Sequence, residues 1–378
     1  MKQLRGLNKI SRFLVPLGLA AAAGCVAPSN SSSPPIARAP TQPVRPAPEP
    51  RPAVQPTFTA PAALETRVAE LGRAFPGSVG IAVRDVTTGW SVGYNATRLM
   101  PQQSVSKLWV AITVLDAVDR GAIKLTEPVV VRRENLTVFH QPVRAMMGKD
   151  GYATTYGDLL RIALTQSDNT CNDMLMRRAG GPDAVRSMIS RKGLGQIGFG
   201  PGETLLQSGI AGMQWKPEYS AGNAFQVARA ALPAERRQAA MSRYLADPMD
   251  GASAAAIAAA LARLERGELL SRGATRTLIG TMRDSRTGPQ RLRAGLAPGW
   301  SLAHKTGTGQ ELAGLATGYN DVGLVTAPDG RTYAVAVMIA STRQSIPVRQ
   351  RLMADVVRAV VASHDGAVAY SGRPVARP

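Results

Sequence analysis

Strand-like patterning falls near both ends of the folded part of this chain, and helical patterning fills the interval between. Few architectures accommodate that order. Residues 80–85 and 91–94 read as short strands around Thr87-Thr88-Gly89, a hairpin signal. Strand character returns at 301–305, 321–326 and 332–339, with Asp329-Gly330 as the tight turn between the last two. In between, Leu108, Ile112, Leu115 and Val118 have helical spacing and predict a helix over 104–120. Further helices are predicted at 62–74, 156–165, 169–178, 182–190, 254–266 and 272–283, with a closing one from 347 to about 362. The pattern predicts an α+β fold: one antiparallel sheet built from both chain ends with flanking helices, plus a central all-helical subdomain. The expected folded domain covers 61–365. Its α/β lobe spans about 61–98 and 285–365, its helical lobe about 99–284, and a site is expected between them.

At 378 residues and 44% apolar content the chain can fill such a core, and 5% aromatics with abundant alanine favours packed helices over a β-sandwich. What precedes residue 61 reads differently. Lys2, Arg5, Lys9 and Arg12 form a positive stretch ahead of a short apolar run over 13–23, too short to span a bilayer and of the kind that directs export. The run ends Ala22-Ala23-Gly24-Cys25, which resembles the lipid-attachment box of bacterial lipoproteins. That resemblance implies a signal over 1–25, lipidation of Cys25, and anchoring to a membrane without crossing it. An ordinary small-residue cleavage site is the alternative. Val26 after the cysteine, where aspartate would signal retention, implies outer-membrane sorting in a Gram-negative host. Residues 26–60 are rich in Pro, Ser and Ala and read as a tether, and 366–378 as a loose tail.

The formal charge of +19 is spread along the whole chain, with no dense basic run and no interleaved aromatics. No nucleic-acid partner is expected; a basic, exported, monomeric protein near an anionic envelope is. Of two cysteines, Cys25 belongs to the signal, so Cys171 has no intrachain partner. His140, His304 and His364 show no ligand spacing, and neither a metal nor another cofactor is expected.

Three short segments carry the chemistry: Ser104-Val105-Ser106-Lys107, Ser167-Asp168-Asn169 and Lys305-Thr306-Gly307. Ser104 and Lys107 lie three apart on one helix face, so the amine can reach the hydroxyl. A serine hydroxyl needs a neighbouring base to become a nucleophile, and N–H groups at a helix start can receive an oxyanion. Alone, the first segment reads equally as a solvent-facing Ser/Lys pair.

In order, the three segments resemble the signature of serine β-lactamases and penicillin-binding proteins. The resemblance runs from about residue 77 to 362. Ser167-Asp168-Asn169-Thr170 followed by Gly180-Gly181-Pro182 is similar to class A β-lactamases in particular, as are Arg291-Leu292-Arg293, Pro298 and Trp300 ahead of Lys305-Thr306-Gly307-Thr308, and Tyr319-Asn320-Asp321-Val322. His304 and Cys171 resemble a divergent branch of that class. The family implies a small-molecule β-lactam substrate and residue roles. Ser104 would attack the lactam carbonyl and Lys107 relay its proton. Ser167 would protonate the leaving nitrogen and Asn169 hold the side-chain amide. Lys305, Thr306, Gly307 and Thr308 would face the substrate carboxylate, supported by Arg291, with the N–H groups of Ser104 and Thr308 as oxyanion hole.

Class A enzymes release the acyl group with a glutamate on a loop after the Ser-Asp-Asn helix. An ungapped register places Glu203-Thr204-Leu205-Leu206-Gln207 there. A surface carboxylate in a glycine-rich loop would look the same. Trp215-Lys216-Pro217-Glu218 imitates the family's loop with Lys at the key position, and 208–250 is long enough to carry an inserted helical hairpin around 223–231 and 234–246. Phe139 or His140 would gate the cleft.

Two other motifs lack their context. Gly89-Trp90-Ser91-Val92-Gly93 sits in a predicted strand with no helix following, and Gly193-Leu194-Gly195-Gln196-Ile197-Gly198 follows a helix instead of a strand. The rival activities are a DD-peptidase acting on peptidoglycan stem peptides, which would not need Glu203, and a β-lactam sensor that stops at the acylated Ser104.

Overall fold

A computed structural model describes residues 59–371. Cys25, the signal and nearly all of the expected tether lie outside them, as do 372–378. In chain order the first elements are α1 (Ala62–Ala74), β1 (Gly77–Asp85), β2 (Ser91–Tyr94), β3 (Leu99–Pro101), α2 (Lys107–Asp119), β4 (Pro128–Val131) and β5 (Tyr152–Thr155). There follow α3 (Tyr156–Thr165), α4 (Asn169–Arg178), α5 (Gly181–Arg191), α6 (Glu203–Ala211), α7 (Ala224–Ala230) and α8 (Ala234–Ala246). The chain closes with β6 (Gly251–Ser253), α9 (Ala254–Glu265), α10 (Arg272–Arg283), β7 (Ser301–Gly307), β8 (Glu311–Leu312), β9 (Leu315–Thr326), β10 (Thr332–Thr342) and α11 (Ile346–Ser371).

The main sheet runs β2-β1-β10-β9-β7, with β8 beside β9, and every pairing is antiparallel. β1 therefore lies next to β10, and both ends of the patterned chain build one sheet, as the order of periodicities predicted. Alternation along β10 sorts its two faces. Tyr333, Val335, Val337 and Ile339 share a core with Leu64 and Val68 of α1 and with Leu352, Met353 and Val356 of α11. Ala334, Ala336 and Met338 belong to the other core, with Ala254, Ala258 and Ala262 of α9. Small residues on both partners let α9 pack directly on β1 and β10. The lobe boundary expected at 284 gives α9 to the helical half; its alanine face makes it part of the sheet layer.

α2 passes through the middle of the second core, and its residues from Lys107 to Ala117 are all buried. A helix apolar on every side is what a central position requires. α11 runs on to Ser371, past residue 366 where the tail was expected to begin. One glycine costs a helix only about 1 kcal/mol, and Ala367 and Ala369 favour continuation. The hairpin expected in the long segment forms as α7 and α8. It is preceded by α6, which the sequence did not announce.

Candidate active site

Ser104 sits in a single 3-10 turn, Gln103–Ser106, that feeds α2. The residue before it, Gln103, has φ +52°, a left-handed conformation a side chain seldom adopts. Surrounding bonds enforce it. The Gln103 N–H donates to Asp250 Oδ2 at 2.7 Å, its Nε2 donates to the Tyr244 hydroxyl, and its Oε1 accepts from Gln207 Nε2 at 3.0 Å. Gln102 is clamped too, donating to Gly198 O at 2.8 Å and Asp250 O at 2.6 Å and accepting from Trp109 Nε1 at 2.5 Å. Burial pushes the Asp250 carboxyl up to about 6 against the N–H of Gln103 and the hydroxyl of Tyr244. The nucleophile turn is thus over-determined, which is how strained backbone persists.

Lys107, buried at 1% exposure, spends all three of its donors. Nζ donates to Ser104 Oγ at 3.1 Å, to Asn169 Oδ1 at 2.9 Å and to Glu203 Oε1, a buried ion pair. One ammonium joins the three predicted groups.

Asp168 caps α4, its Oδ1 accepting the Cys171 N–H at 2.8 Å and its Oδ2 the Val143 N–H at 2.7 Å. Ser167, immediately before it, has φ +62°. Asn169 is held by its Nδ2, which donates to Val138 O at 2.8 Å, leaving one amide N–H for a ligand. Lys305 reaches across from β7 to donate to Ser167 Oγ at 2.8 Å and to Thr306 O at 3.0 Å. Burial, and then the positive charges of Lys107 and Arg291, hold the Lys305 ammonium well below the usual lysine range. An anion entering the cleft would relieve that penalty.

Arg291 does not extend free into the cleft. It donates to Gly307 O at 2.9 Å, Asn320 O at 2.7 Å and Thr308 Oγ1 at 2.6 Å, and lies 3.8 Å over the Tyr319 ring. Its guanidinium braces the segment after β7. Thr306 shares a hydroxyl contact with Thr287 at 2.8 Å. His304, beneath the strand, meets Asp321 at 2.8 Å and is fully buried.

Glu203 opens α6 instead of lying in a loop. Gly202, at φ +100°, turns the chain into the helix, and a carboxylate suits a helix N-terminus. The Glu203 N–H donates to the Asp173 carboxylate at 3.1 Å, and Oε2 accepts from Gln207 Nε2 at 3.3 Å, one turn along. Gln207 Oε1 in turn accepts from Gln310 Nε2 at 3.0 Å. Lys216 and Glu218, the competing register, are exposed, and neither lines the cleft.

Ser104, Ser167, Asn169, Glu203, Thr306 and Thr308 line one cleft of about 510 Å³. Phe139 and His140 both line it as well: Phe139 packs edge-on against Phe225 of α7 at 4.7 Å, while His140 Nε2 lies 2.7 Å from Gln166 O. Sequence reasoning missed Gln103, Asp173, Tyr244 and Asp250. No local spacing announces them, since their contacts join distant segments.

A sequence model described as the Beta-lactamase enzyme family matches residues 63–363. The extended-spectrum β-lactamase PER-1 of Pseudomonas aeruginosa is 28% identical over 282 residues, 74% of this chain and 80% of that protein. β-Lactamase L2 of Stenotrophomonas maltophilia is 30% identical over 247 residues, 65% of this chain and 69% of that one. Among solved structures, a β-lactamase from Chitinophaga pinensis superposes with a TM-score of 0.65 at 26% identity, covering 80% of this chain and 99% of that one. A variant of the last common ancestor of Gram-negative class A β-lactamases gives a TM-score of 0.63 at 30% identity, covering 81% and 99%.

Proposed function

We propose that this chain, which belongs to the β-lactamase enzyme family, opens the β-lactam ring by acylation of Ser104 and frees the product with water activated at Glu203. The chain is a class A serine β-lactamase. The observation that carries the residue assignment is the Lys107 ammonium, in contact with Ser104, Asn169 and Glu203 at once.

As Ser104 Oγ bonds to the lactam carbonyl carbon, its proton leaves along the Lys107 contact, with Lys107 passing a proton to Glu203. The carbonyl oxygen becomes an oxyanion for the N–H groups of Ser104 and Thr308. The first bond of the Ser104 turn runs from the Val105 N–H to Gln102 O at 3.2 Å, so the Ser104 N–H precedes it and is not used by the turn. When the carbon–nitrogen bond breaks, the ring nitrogen takes a proton from Ser167 Oγ, steadied by Lys305. The proton held by Glu203 returns through Lys107 to make good the one Ser167 has given, so that Glu203 is a carboxylate again. The ring carboxylate faces Lys305, Thr306 and Thr308, and the free N–H of Asn169 takes the acylamino carbonyl. Glu203 then deprotonates a water oriented with Gln207. The hydroxide attacks the acyl carbon, and Ser104 Oγ departs with a proton returned to it.

Intact-mass spectrometry during hydrolysis of a chromogenic cephalosporin tests the assignment. The wild type is expected to turn over many times, Ser104→Ala to form no adduct, and Glu203→Gln to accumulate one, its deacylation slowed by about 10² or more. A single stoichiometric burst from the wild type would leave the peptidase or sensor activities. Wild-type turnover by Glu203→Gln would remove Glu203 from the mechanism. The leader supports a further proposal, export and lipid attachment at Cys25 to a bacterial envelope membrane.

A further inference from the structure

The inserted hairpin adds something to the cleft that the proposed mechanism does not use. Phe225 fixes α7 in place, buried with Val138 and Ala211 and edge-on to Phe139. Four residues on, and so on the same helix face, Arg229 lines the cleft beside Gln226. Its Nε and Nη2 are shut away from solvent and have no hydrogen-bond acceptor among the described residues, and neither has Nε of Arg237 on α8. Buried N–H groups of a cation are expensive to leave unpaired. Burial, and then the positive charge of Arg237, lower the affinity of the Arg229 guanidinium for its proton.

The other groups nearby are already engaged. Lys107 has three acceptors, Lys305 is on Ser167, and Arg291 is held by Gly307, Asn320 and Thr308, with its Nε alone unpartnered among the described residues. Glu311, a carboxylate lining the cleft, is paired with Arg349 at 2.9 Å. Arg229 differs in leaving two of its buried nitrogens without an acceptor and having no acidic partner among the described residues. Its place is also specific. Phe225 ties α7 to Phe139, which follows the carbonyl of Val138 that holds Asn169. Through Phe225 and Phe139, Arg229 is tied to the Asn169 wall, which takes the acylamino side chain.

We propose that Arg229, backed by Arg237, is a subsite for an anionic substituent, a carboxylate or sulfonate, on the acylamino side chain of the β-lactam. The placement rests on the roles assigned above to Asn169 and Lys305; the unpaired guanidinium does not.

Benzylpenicillin and its α-carboxy derivative differ by one carboxylate and test this directly. The ratio of kcat/KM for the carboxy compound to that for benzylpenicillin is expected to fall at least tenfold in Arg229→Gln, mainly through KM, and to recover in part in Arg229→Lys. Melting temperatures near wild type would show that the variants are folded. A ratio within twofold of wild type in Arg229→Gln overturns the subsite while leaving the hydrolytic mechanism standing. If the wild type turns over neither penicillin, the mechanism fails separately, and calorimetry on Ser104→Ala reads the subsite without turnover. The carboxy compound should then bind at least tenfold more tightly, with the preference lost in Ser104→Ala/Arg229→Gln. Equal affinities, or no measurable binding of either, overturn it.

Discussion

Two buried acidic residues, Asp173 and Glu203, lie side by side, the Asp173 carboxylate accepting the Glu203 N–H. Burial, and then the charge of Glu203, push Asp173 up to about 7 from 3.8. The native state therefore holds a proton at Asp173 that the unfolded chain gives up from about pH 4. With more protons bound when folded, stability is full below about pH 4 and drains away as pH rises through about 7. Asparagine keeps the acceptor for the Glu203 N–H and carries no charge. Asp173→Asn is expected to match wild type near pH 4 and to exceed it by about 1–3 kcal/mol at pH 8. Urea melts across pH 4–8 check this, with Asp250 leaving a smaller slope of the same sign. Parallel curves for the two proteins would remove Asp173 as the source. Ser104 and Lys107 were legible because helical spacing alone brings them together, and Ser167, Asn169 and Lys305 because the ordered segments resemble a family. Asp173, Tyr244 and Asp250 were not, since their contacts span 30, 141 and 147 residues.

Between elements, the critical fit is β7 against the turn that bears Ser104. A Cβ on Gly307 would stand 2.4 Å from Gln102 O, a carbonyl that also accepts from Asn320 Nδ2 of β9 at 3.0 Å. Neither backbone can yield without moving the nucleophile or the Thr308 N–H. Gly307→Ala is expected to cost about 1–3 kcal/mol through overpacking. It should also lower kcat/KM by about 10²-fold, the effect of misplacing reacting groups by about an ångström. Steady-state kinetics with thermal melts check it, and full activity at an unchanged melting temperature would show that the strand has slack. Elements with long periods were read closely: α1, α3, α4 and α10 have the bounds that 3.6-residue spacing predicts. β3, β4, β5 and β6, at three or four residues, are too short to show a period. α6 was hidden because Gly200-Pro201-Gly202 reads as loop, although Gly202 is the residue that turns the chain into the helix. The placement of Glu203 was therefore legible in register while its local structure was not.

For the molecule as a whole, the proposed lipid attachment and the basic charge make different predictions about how the chain would meet a membrane. Among the described residues no helix is long and apolar enough to cross one. A formal charge of +19 by itself draws the protein to an anionic surface, but that attraction is screened by salt. Acyl chains bind through buried methylene groups, at about 0.8 kcal/mol each, and salt does not weaken them. The two modes separate cleanly at Cys25. Wild type is expected to incorporate a clickable palmitate analogue and to stay with the membrane fraction in 0.5 M salt. Cys25→Ser should take up no label and wash into the soluble fraction at that salt, with its specific activity on a chromogenic cephalosporin unchanged. Cys171, buried in the second core with burial raising its thiol further out of reach, offers no competing attachment point. A wild type that takes up no label and washes off as readily as the variant would overturn lipid attachment at Cys25.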